Sequence, residues 1–149
     1  MKKVAVIGAS GYVGSQIAKT ISQDKRYILI PINRSDSLEL LSEAEIIIYA
    51  ANPAKRFMAE KKPKNDFIET AEKVSRYTGA SIKKRFILIS SLSCRTQLNT
   101  NYGRNRRACE LITLAMKNSI VVRLGPMYGG NRIKDTLHDI IAGNQVFVS

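Results

Sequence analysis

The amino-acid sequence predicts an α/β protein built on a doubly wound parallel β-sheet with helices on both faces. Five apolar runs of strand length alternate with segments of helical periodicity along the 149 residues. A glycine-spaced turn joins the first run to the first helical segment, and neither a repeat nor a low-complexity linker divides the chain. We therefore expect a single domain over residues 1–149, in which right-handed crossovers connect parallel strands.

The individual elements follow from short apolar runs and from helical spacing of apolar residues. The runs predict strands at residues 3–7, 27–32, 46–50, 85–91 and 119–124, with a sixth edge strand at 145–148. Helical spacing predicts helices that begin at Val13 and that cover residues 65–79, 105–117 and 133–141, with a short one over 37–44. An opening strand, turn and helix of this kind favour the strand order 3-2-1-4-5.

The turn after the first strand carries three glycines at regular spacing. Glycine is needed where the backbone bends sharply, where it approaches a diphosphate, and where a helix packs against the strand before it. The N–H groups at the positive end of the helix then face the phosphates. We therefore expect a dinucleotide to bind at Gly8, Ser10, Gly11, Tyr12, Val13 and Gly14, the alternative being a purely structural turn.

The residues after the second and third strands provide further evidence of a dinucleotide site, and those after the second strand indicate which dinucleotide binds. At the end of the second strand an acidic residue favours NAD, whereas an arginine accommodates the 2′-phosphate of NADP. Asn33, Arg34 and Ser35 occupy this position, so we expect NADP, with NAD as the second choice. After the third strand, the small side chains of Ala50 and Ala51 allow a cofactor to lie close to the backbone.

The charge balance is the unusual global property of the sequence. Lysine and arginine number 24 against 12 acidic residues, which gives a net charge of +12. This charge favours a polyanionic partner, either a phosphate-rich cofactor, a nucleotide-linked substrate or nucleic acid, and the alternative is a solubilising surface. The lysine-rich run at residues 53–64 is the best candidate for nucleic acid, although the absence of interleaved aromatic residues argues against base-specific reading.

Composition also excludes several classes of function. The single histidine, His138, nearly excludes histidine-based triads and multi-histidine metal sites, and we expect no metal. Cys94 and Cys109 are too few for a disulfide framework. No apolar run approaches the roughly 20 residues of a membrane span, and no signal-like region opens the chain, so we expect a cytoplasmic protein that does not enter a membrane.

Several segments together resemble the extended short-chain dehydrogenase/reductases, the branch that includes nucleotide-sugar epimerases and dehydratases. GASGYVG at residues 8–14 resembles the cofactor loop of this family, and residues 65–91 resemble its long helix followed by a strand that ends in hydroxyl residues. NYGRNRRACEL at residues 101–111 resembles the catalytic Y-x-x-x-K segment, with Arg106 in place of the lysine. VVRLGPMYGGN at residues 121–131 resembles the segment near the nicotinamide.

This resemblance implies an NADP-dependent oxidoreductase or epimerase that acts at a carbonyl or alcohol carbon, with a small or nucleotide-linked substrate. Tyr102 corresponds to the acid/base, Ser91 to the hydroxyl that positions the substrate oxygen, with Ser93 as runner-up, and Arg106 to the electrostatic support. The resemblance covers only the cofactor half of the family, without its C-terminal substrate region. A second copy could complete the pocket, or the chain could be a catalytically degenerate regulatory protein that engages nucleic acid or an acidic partner.

Overall fold

The computed structural model contains one five-stranded, all-parallel sheet and describes residues 1–33, 36, 38–127 and 136–144, without the side chains of 136–138. The strands are β1 (Lys2–Ile7), β2 (Tyr27–Ile32), β3 (Ile46–Tyr49), β4 (Arg85–Ser91) and β5 (Ser119–Leu124). The predicted α/β fold class is confirmed, and β2, β4 and β5 have the predicted bounds. The sixth strand expected at residues 145–148 lies outside the described residues.

The strand order is β2-β1-β3-β4-β5, and the predicted order 3-2-1-4-5 is therefore wrong. Between β2 and β3 the described chain forms only a 3₁₀ helix, Leu38–Glu43, which leaves no connecting helix to carry a further strand outside β2. β3 instead pairs with β1 on the side away from β2, with Ile7 opposite Tyr49. The order of strands thus reverses between β1 and β3, where ligands of open α/β sheets bind.

Helices cover both faces of the sheet. They are α1 (Tyr12–Gln23), α2 (Arg56–Lys61), α3 (Pro63–Phe67), α4 (Lys73–Gly79), α5 (Ser93–Thr96), α6 (Asn101–Leu114) and α7 (Thr136–Ile141). A π-helical turn, Ile68–Glu72, joins α3 to α4. In the part of the chain that the structure describes, no helix is both long enough and apolar enough to cross a membrane.

The helix α6 begins at Asn101, four residues before the predicted start. Two oxygen groups satisfy the free N–H groups of its first turn: the Thr100 hydroxyl accepts from Gly103 at 3.0 Å, and the Glu60 carboxylate accepts from Asn101 at 2.7 Å. The Glu60 carboxylate also accepts from the backbone N–H of Tyr102 at 3.3 Å. These caps place Tyr102 in the first turn of a fixed helix.

The main core lies between the sheet and the helices α4 and α6. Tyr49 is completely buried there, with its ring centroid 5.3 Å from that of Tyr77 and 6.2 Å from that of Phe86. Ile47, Leu88 and Val74 are also fully buried in this cluster. This packing fixes the carboxyl end of β3 relative to the helices that surround the cavity described below.

A buried ion pair holds α6 to β5. Glu110 is completely buried and accepts two hydrogen bonds from the Arg123 guanidinium, at 2.9 and 2.8 Å. The Cys94 thiol donates to the same carboxylate at 2.9 Å. Burial by itself raises the pKa of Glu110, but the hydrogen bonds from Arg123 and Cys94 outweigh it and lower the pKa from 4.5 to about 2.

The lowered pKa of Glu110 predicts a specific loss of stability in acid. Since the folded pKa is below the unfolded one, the stabilisation is complete above about pH 5 and is lost as the pH falls towards 2, about 3 kcal/mol in total. Urea denaturation from pH 7 to pH 3 should show about 2 kcal/mol of this loss, because pH 3 is still above the folded pKa. Glu110→Gln should lower the free energy of unfolding by a similar amount at pH 7, because Arg123 loses its partner, and should make that free energy less dependent on pH in acid.

Glu43→Gln, which removes an exposed partner of Lys3, is the control and should change stability little. A wild-type pH profile in Glu110→Gln would contradict the assignment.

Candidate functional site

The site begins at Gly8, where the end of β1 touches the segment after β3. Gly8 has a φ of +83°, a conformation that glycine adopts without strain. A Cβ atom at this position would lie 2.9 Å from the Cα of Ala51 and 3.0 Å from the carbonyl oxygen of Ala50. Only glycine therefore allows the two chain segments to approach this closely.

The other two glycines close the turn and start the helix. The N–H of Gly11 donates to the carbonyl oxygen of Gly8 at 2.9 Å, and Gly11 caps α1 without a side-chain hydrogen bond. A Cβ at Gly14 would lie 2.0 Å from the same Gly8 oxygen, so Gly14 lies beneath the loop, where it allows α1 to pack against it. The first turn of α1 contains no acidic residue, and its positive end is left for a ligand.

A cavity of about 1250 Å³ opens above this turn. Most of the residues predicted to hold a cofactor line its wall: Gly8, Ser10, Gly11, Tyr12, Val13, Asn33, Ala50 and Ala51. Gly14 supports the loop from below, whereas Arg34 and Ser35 lie outside the described residues. The expected preference for NADP, which rests on Arg34, stays a prediction.

The cavity wall also contains residues that the sequence analysis missed. Asp36 accepts a hydrogen bond from the backbone N–H of Asn33 at 2.6 Å, which places a carboxylate at the end of β2. Lys73 and Arg76 lie one helical turn apart on α4; Arg76 contributes positive charge, whereas Lys73 is paired with Glu69 at 2.6 Å. The sequence indicated only that these two residues share one face of a predicted helix. The fold then shows that this face lines the cavity.

A second cavity, of about 110 Å³, brings the three predicted catalytic residues together. Ser91 from the end of β4, and Tyr102 and Arg106 from α6, all line its wall. Val13 and Asn52 line both this cavity and the larger one, so the two spaces meet at the start of α1. A molecule in the large cavity could thus reach the tyrosine and the serine.

Arg106 is held rigidly against the face of Tyr102. Its side chain is 2% exposed, and its guanidinium carbon lies 4.3 Å from the centroid of the Tyr102 ring. One amino group donates to the carbonyl oxygen of Pro53, and the other lies 3.9 Å from the Asp66 carboxylate. The permanent cation therefore sits at the position that the resemblance assigns to lysine, fixed by groups from outside α6.

The serine hydroxyls at the end of β4 form a short hydrogen-bonded chain. The Ser91 hydroxyl donates to that of Ser93 at 3.2 Å, and the guanidinium of Arg56 donates to Ser93 at 3.0 Å. The guanidinium carbon of Arg56 also lies 5.5 Å from the Tyr102 ring centroid. The lysine-rich run that the sequence offered as a nucleic-acid surface thus forms part of the wall around Tyr102.

Several polar atoms around the two cavities have no hydrogen-bond partner among the described residues. They are the hydroxyls of Tyr49 and Ser90, both amide atoms of Asn52 and one guanidinium nitrogen of Arg106, all shielded from solvent. Buried polar groups in native proteins are almost always paired, with protein, water or ligand. These atoms therefore offer donors and an acceptor where the two cavities meet.

Tyr49 and Cys109 are poor candidates for acid/base or nucleophilic chemistry. Burial, the largest cause, raises the pKa of Tyr49 far above its usual value of 10.0, so the phenol stays protonated and acts as a donor. Burial likewise raises the pKa of the Cys109 thiol to about 11, which suppresses the reactive thiolate. Among the described residues, no three His, Cys, Asp or Glu side chains are placed to hold a metal ion.

Comparison with known proteins gives relatives whose fold agrees with this description. No known protein-family profile matches the chain. The ceramide reductase of Caulobacter vibrioides is 27% identical over 151 residues, which cover 85% of this chain and 46% of that enzyme. The chain thus spans about half the length of this curated relative.

Two solved structures show how far the likeness extends in three dimensions. The dTDP-4-dehydrorhamnose reductase of Bacillus anthracis, in complex with NADP, superposes with a TM-score of 0.80 at 20% identity, over 95% of this chain and 60% of that one. The UDP-glucuronic acid 4-epimerase of Bacillus cereus, in complex with NAD, superposes with a TM-score of 0.75 at 14% identity, over 95% of this chain and 64% of that one.

The fold and the paired cavities define an α/β domain of the Rossmann-like type. Its solved neighbours include a sugar-nucleotide reductase and a sugar-nucleotide epimerase, and their superposition shows the fold that the family resemblance in the sequence predicts. The fold expected from that resemblance is confirmed, over roughly 60% of the length of the neighbours.

The buried hydroxyl of Tyr49 gives a stability test of the site. If no group pairs with it, Tyr49→Phe should stabilise the protein by about 1 kcal/mol, because an unpaired buried hydroxyl is costly. Thermal unfolding should then show a rise in Tm of about 2–4 °C for a chain of this length. Tyr27→Phe, on the edge strand, is the control and should leave Tm unchanged. A lower Tm in Tyr49→Phe would contradict this expectation and show that the hydroxyl is paired in the folded protein.

Proposed function

We propose that this chain binds NADP, with NAD as the alternative, as the cofactor-binding part of an oxidoreductase or epimerase. Its reaction is hydride transfer at a carbonyl or alcohol carbon. One observation carries the proposal: the glycine turn opens onto a large cavity that meets, at Val13 and Asn52, the small cavity lined by Ser91, Tyr102 and Arg106. Cofactor and acid/base groups would thus face each other across one space.

The described residues fit a dinucleotide. A Cβ on Gly8 or Gly11 would crowd the loop, whereas glycine leaves a backbone cradle at the positive end of α1 for the diphosphate. Arg76 adds positive charge along the wall, and the amide of Asn52, which lines both cavities, offers a donor and an acceptor on the wall that Tyr102 also lines. The nicotinamide of the bound cofactor would supply or accept the hydride.

The proton would be handled by Tyr102. Its phenol hydroxyl would donate to, or accept from, the substrate oxygen, and the Ser91 hydroxyl would hold that oxygen in place. The Arg106 guanidinium, 4.3 Å from the ring centroid, would stabilise the phenolate by Coulomb attraction. Since Arg106 is anchored to Pro53 and Asp66, this charge would need no rearrangement during the reaction.

The relatives support a carbonyl or alcohol substrate. One is a ceramide reductase, and the solved neighbours act on dTDP-linked and UDP-linked sugars. We propose a nucleotide-linked sugar as the substrate class, because both of these solved neighbours act on one. The regulatory alternative, in which a basic surface engages nucleic acid, is not favoured by these comparisons.

Cofactor preference is tested by calorimetry with NADPH and NADH. We expect NADPH to bind more tightly, and Arg34→Ala to weaken NADPH binding about tenfold or more without changing NADH binding, because a guanidinium pairs with the 2′-phosphate. Arg26→Ala, whose side chain pairs with Asp24 on the surface, is the control and should bind both as the wild type does. Equal affinity for the two cofactors would refute the role of Arg34, and binding of neither would refute the proposed function.

The catalytic role of Tyr102 is tested by Tyr102→Phe, which removes only the hydroxyl. Nicotinamide absorbance, followed with a panel of nucleotide-linked keto sugars, reports turnover. We expect the rate to fall by about 10²–10⁴-fold while calorimetry shows unchanged NADPH binding, because the ring and its contact with Arg106 remain. Tyr27→Phe serves as control. Turnover that survives in Tyr102→Phe would show that another group moves the proton.

A further inference from the structure

We propose that Arg56 forms an oxyanion-binding subsite beside Tyr102, which takes a phosphate or carboxylate group of the substrate. The inference rests on the proposed function in one respect, namely that Tyr102 marks the position of the reacting carbon. It adds a residue from α2 that neither the sequence motifs nor the comparisons assign. It also defines a substrate class: molecules that carry an anionic group close to the carbonyl or alcohol carbon.

The Arg56 side chain is anchored at one end of its guanidinium. One amino group donates to the Ser93 hydroxyl at 3.0 Å, and Ser93 is only 3% exposed, so this contact lies in the protein wall. Ser93 in turn accepts from Ser91, the candidate substrate-positioning hydroxyl, at 3.2 Å. The anchor thus connects Arg56 directly to the serine expected to touch substrate.

The other N–H groups of the Arg56 guanidinium have no hydrogen-bond partner among the described residues. Arg56 is exposed overall, with its guanidinium carbon 5.5 Å from the ring centroid of Tyr102. An arginine side chain has five N–H donors in a planar fork, and Ser93 engages only one end of it. The remaining donors can form a bidentate pair with a phosphate or a carboxylate.

The charge of Arg56 is not neutralised within the described part of the chain. Its one acidic neighbour on α2, Glu60, accepts instead from the backbone N–H of Asn101, at 2.7 Å, and from the Asn101 amide, at 2.9 Å. The surrounding cations lie in the same run: Lys55, Lys61, Lys62 and Lys64. Arg56 therefore forms no ion pair among the described residues, and it lies in a run where five cations outnumber the single carboxylate of Glu60.

The position of Arg56 separates this subsite from the cofactor. The glycine turn and the large cavity hold the diphosphate cradle, whereas Arg56 lines neither cavity and contacts Ser93 and the ring of Tyr102, of which Tyr102 lines the small cavity. An anion bound here would be adjacent to the substrate oxygen held by Ser91. Because Arg56 is already oriented by Ser93, little side-chain entropy would be lost on binding.

The subsite is tested by NMR on the ¹⁵N-labelled full chain, first with and then without saturating NADPH. Pyrophosphate and malonate are titrated separately, and the Ser93 amide and the Arg56 Nε–H are followed. We expect saturable shifts of both signals. Arg56→Gln should weaken the binding seen at Ser93 about tenfold or more, and Arg56→Lys should weaken it less, because the charge remains but the fork is lost. Lys61→Gln, on the same helix, is the matched control and should leave it unchanged.

The two anions distinguish the chemistry of the group that is recognised. Saturation by pyrophosphate alone identifies a phosphate site, and saturation by malonate alone identifies a carboxylate site. Shifts that spread over the lysines and persist in Arg56→Gln would overturn the proposal, as would no shift at Ser93 with either anion. NADPH binding, measured separately by calorimetry, should be unaffected by Arg56→Gln. If the wild type fails to bind NADPH, the proposed function is refuted, but the Ser93 amide signal still measures anion binding at Arg56.

Discussion

The contact between Gly8 and Ala51 is the constraint on which the rest of the site depends. A Cβ at Gly8 would approach the Ala51 Cα to 2.9 Å, so the end of β1 and the segment after β3 can meet only through glycine. This contact sets where the chain leaves β3 and therefore where Asn52 and Pro53 lie. Pro53 then accepts the hydrogen bond that anchors Arg106. The absence of a Cβ atom at Gly8, at one end of the site, thus determines how Arg106 is anchored beside Tyr102 at the other end.

The segment from Pro53 to α2 performs three separate tasks around α6. The Pro53 carbonyl oxygen holds Arg106, Glu60 caps the first turn of α6, and Arg56 binds Ser93. Each contact joins this segment to a different part of the site. Together the three hydrogen bonds hold the segment in place, whereas a simple loop would make no such contacts. A run that stands out in the sequence only for its positive charge therefore contributes directed hydrogen bonds to the wall of the site.

Two buried charges on α6 show how the helix is fixed from both sides. Arg106 points towards Pro53 and Asp66, and Glu110, one turn later, pairs with Arg123 of β5. Burying a charge is costly unless it is paired and hydrogen-bonded, so each pair specifies one orientation of the helix. This orientation keeps Tyr102 at the small cavity with its ring covered by Arg106. The geometry of the candidate site and the stability of the helix thus depend on the same contacts.

The sequence by itself determined the strands and the glycine turn, because these depend on local spacing: β2, β4 and β5 have the bounds that their apolar runs predict. Ser91, Tyr102 and Arg106 were also found in the sequence, through a motif, and the fold brings them to one cavity. Strand order could not be found this way, since it depends on which side of β1 the chain crosses to, and apolar runs carry no such information. Likewise only the tertiary structure joined Arg56 to Ser93, 37 positions apart, and turned Lys73 and Arg76 towards the large cavity. Such contacts arise when helices and strands distant in sequence pack together, and no local pattern of residues encodes them.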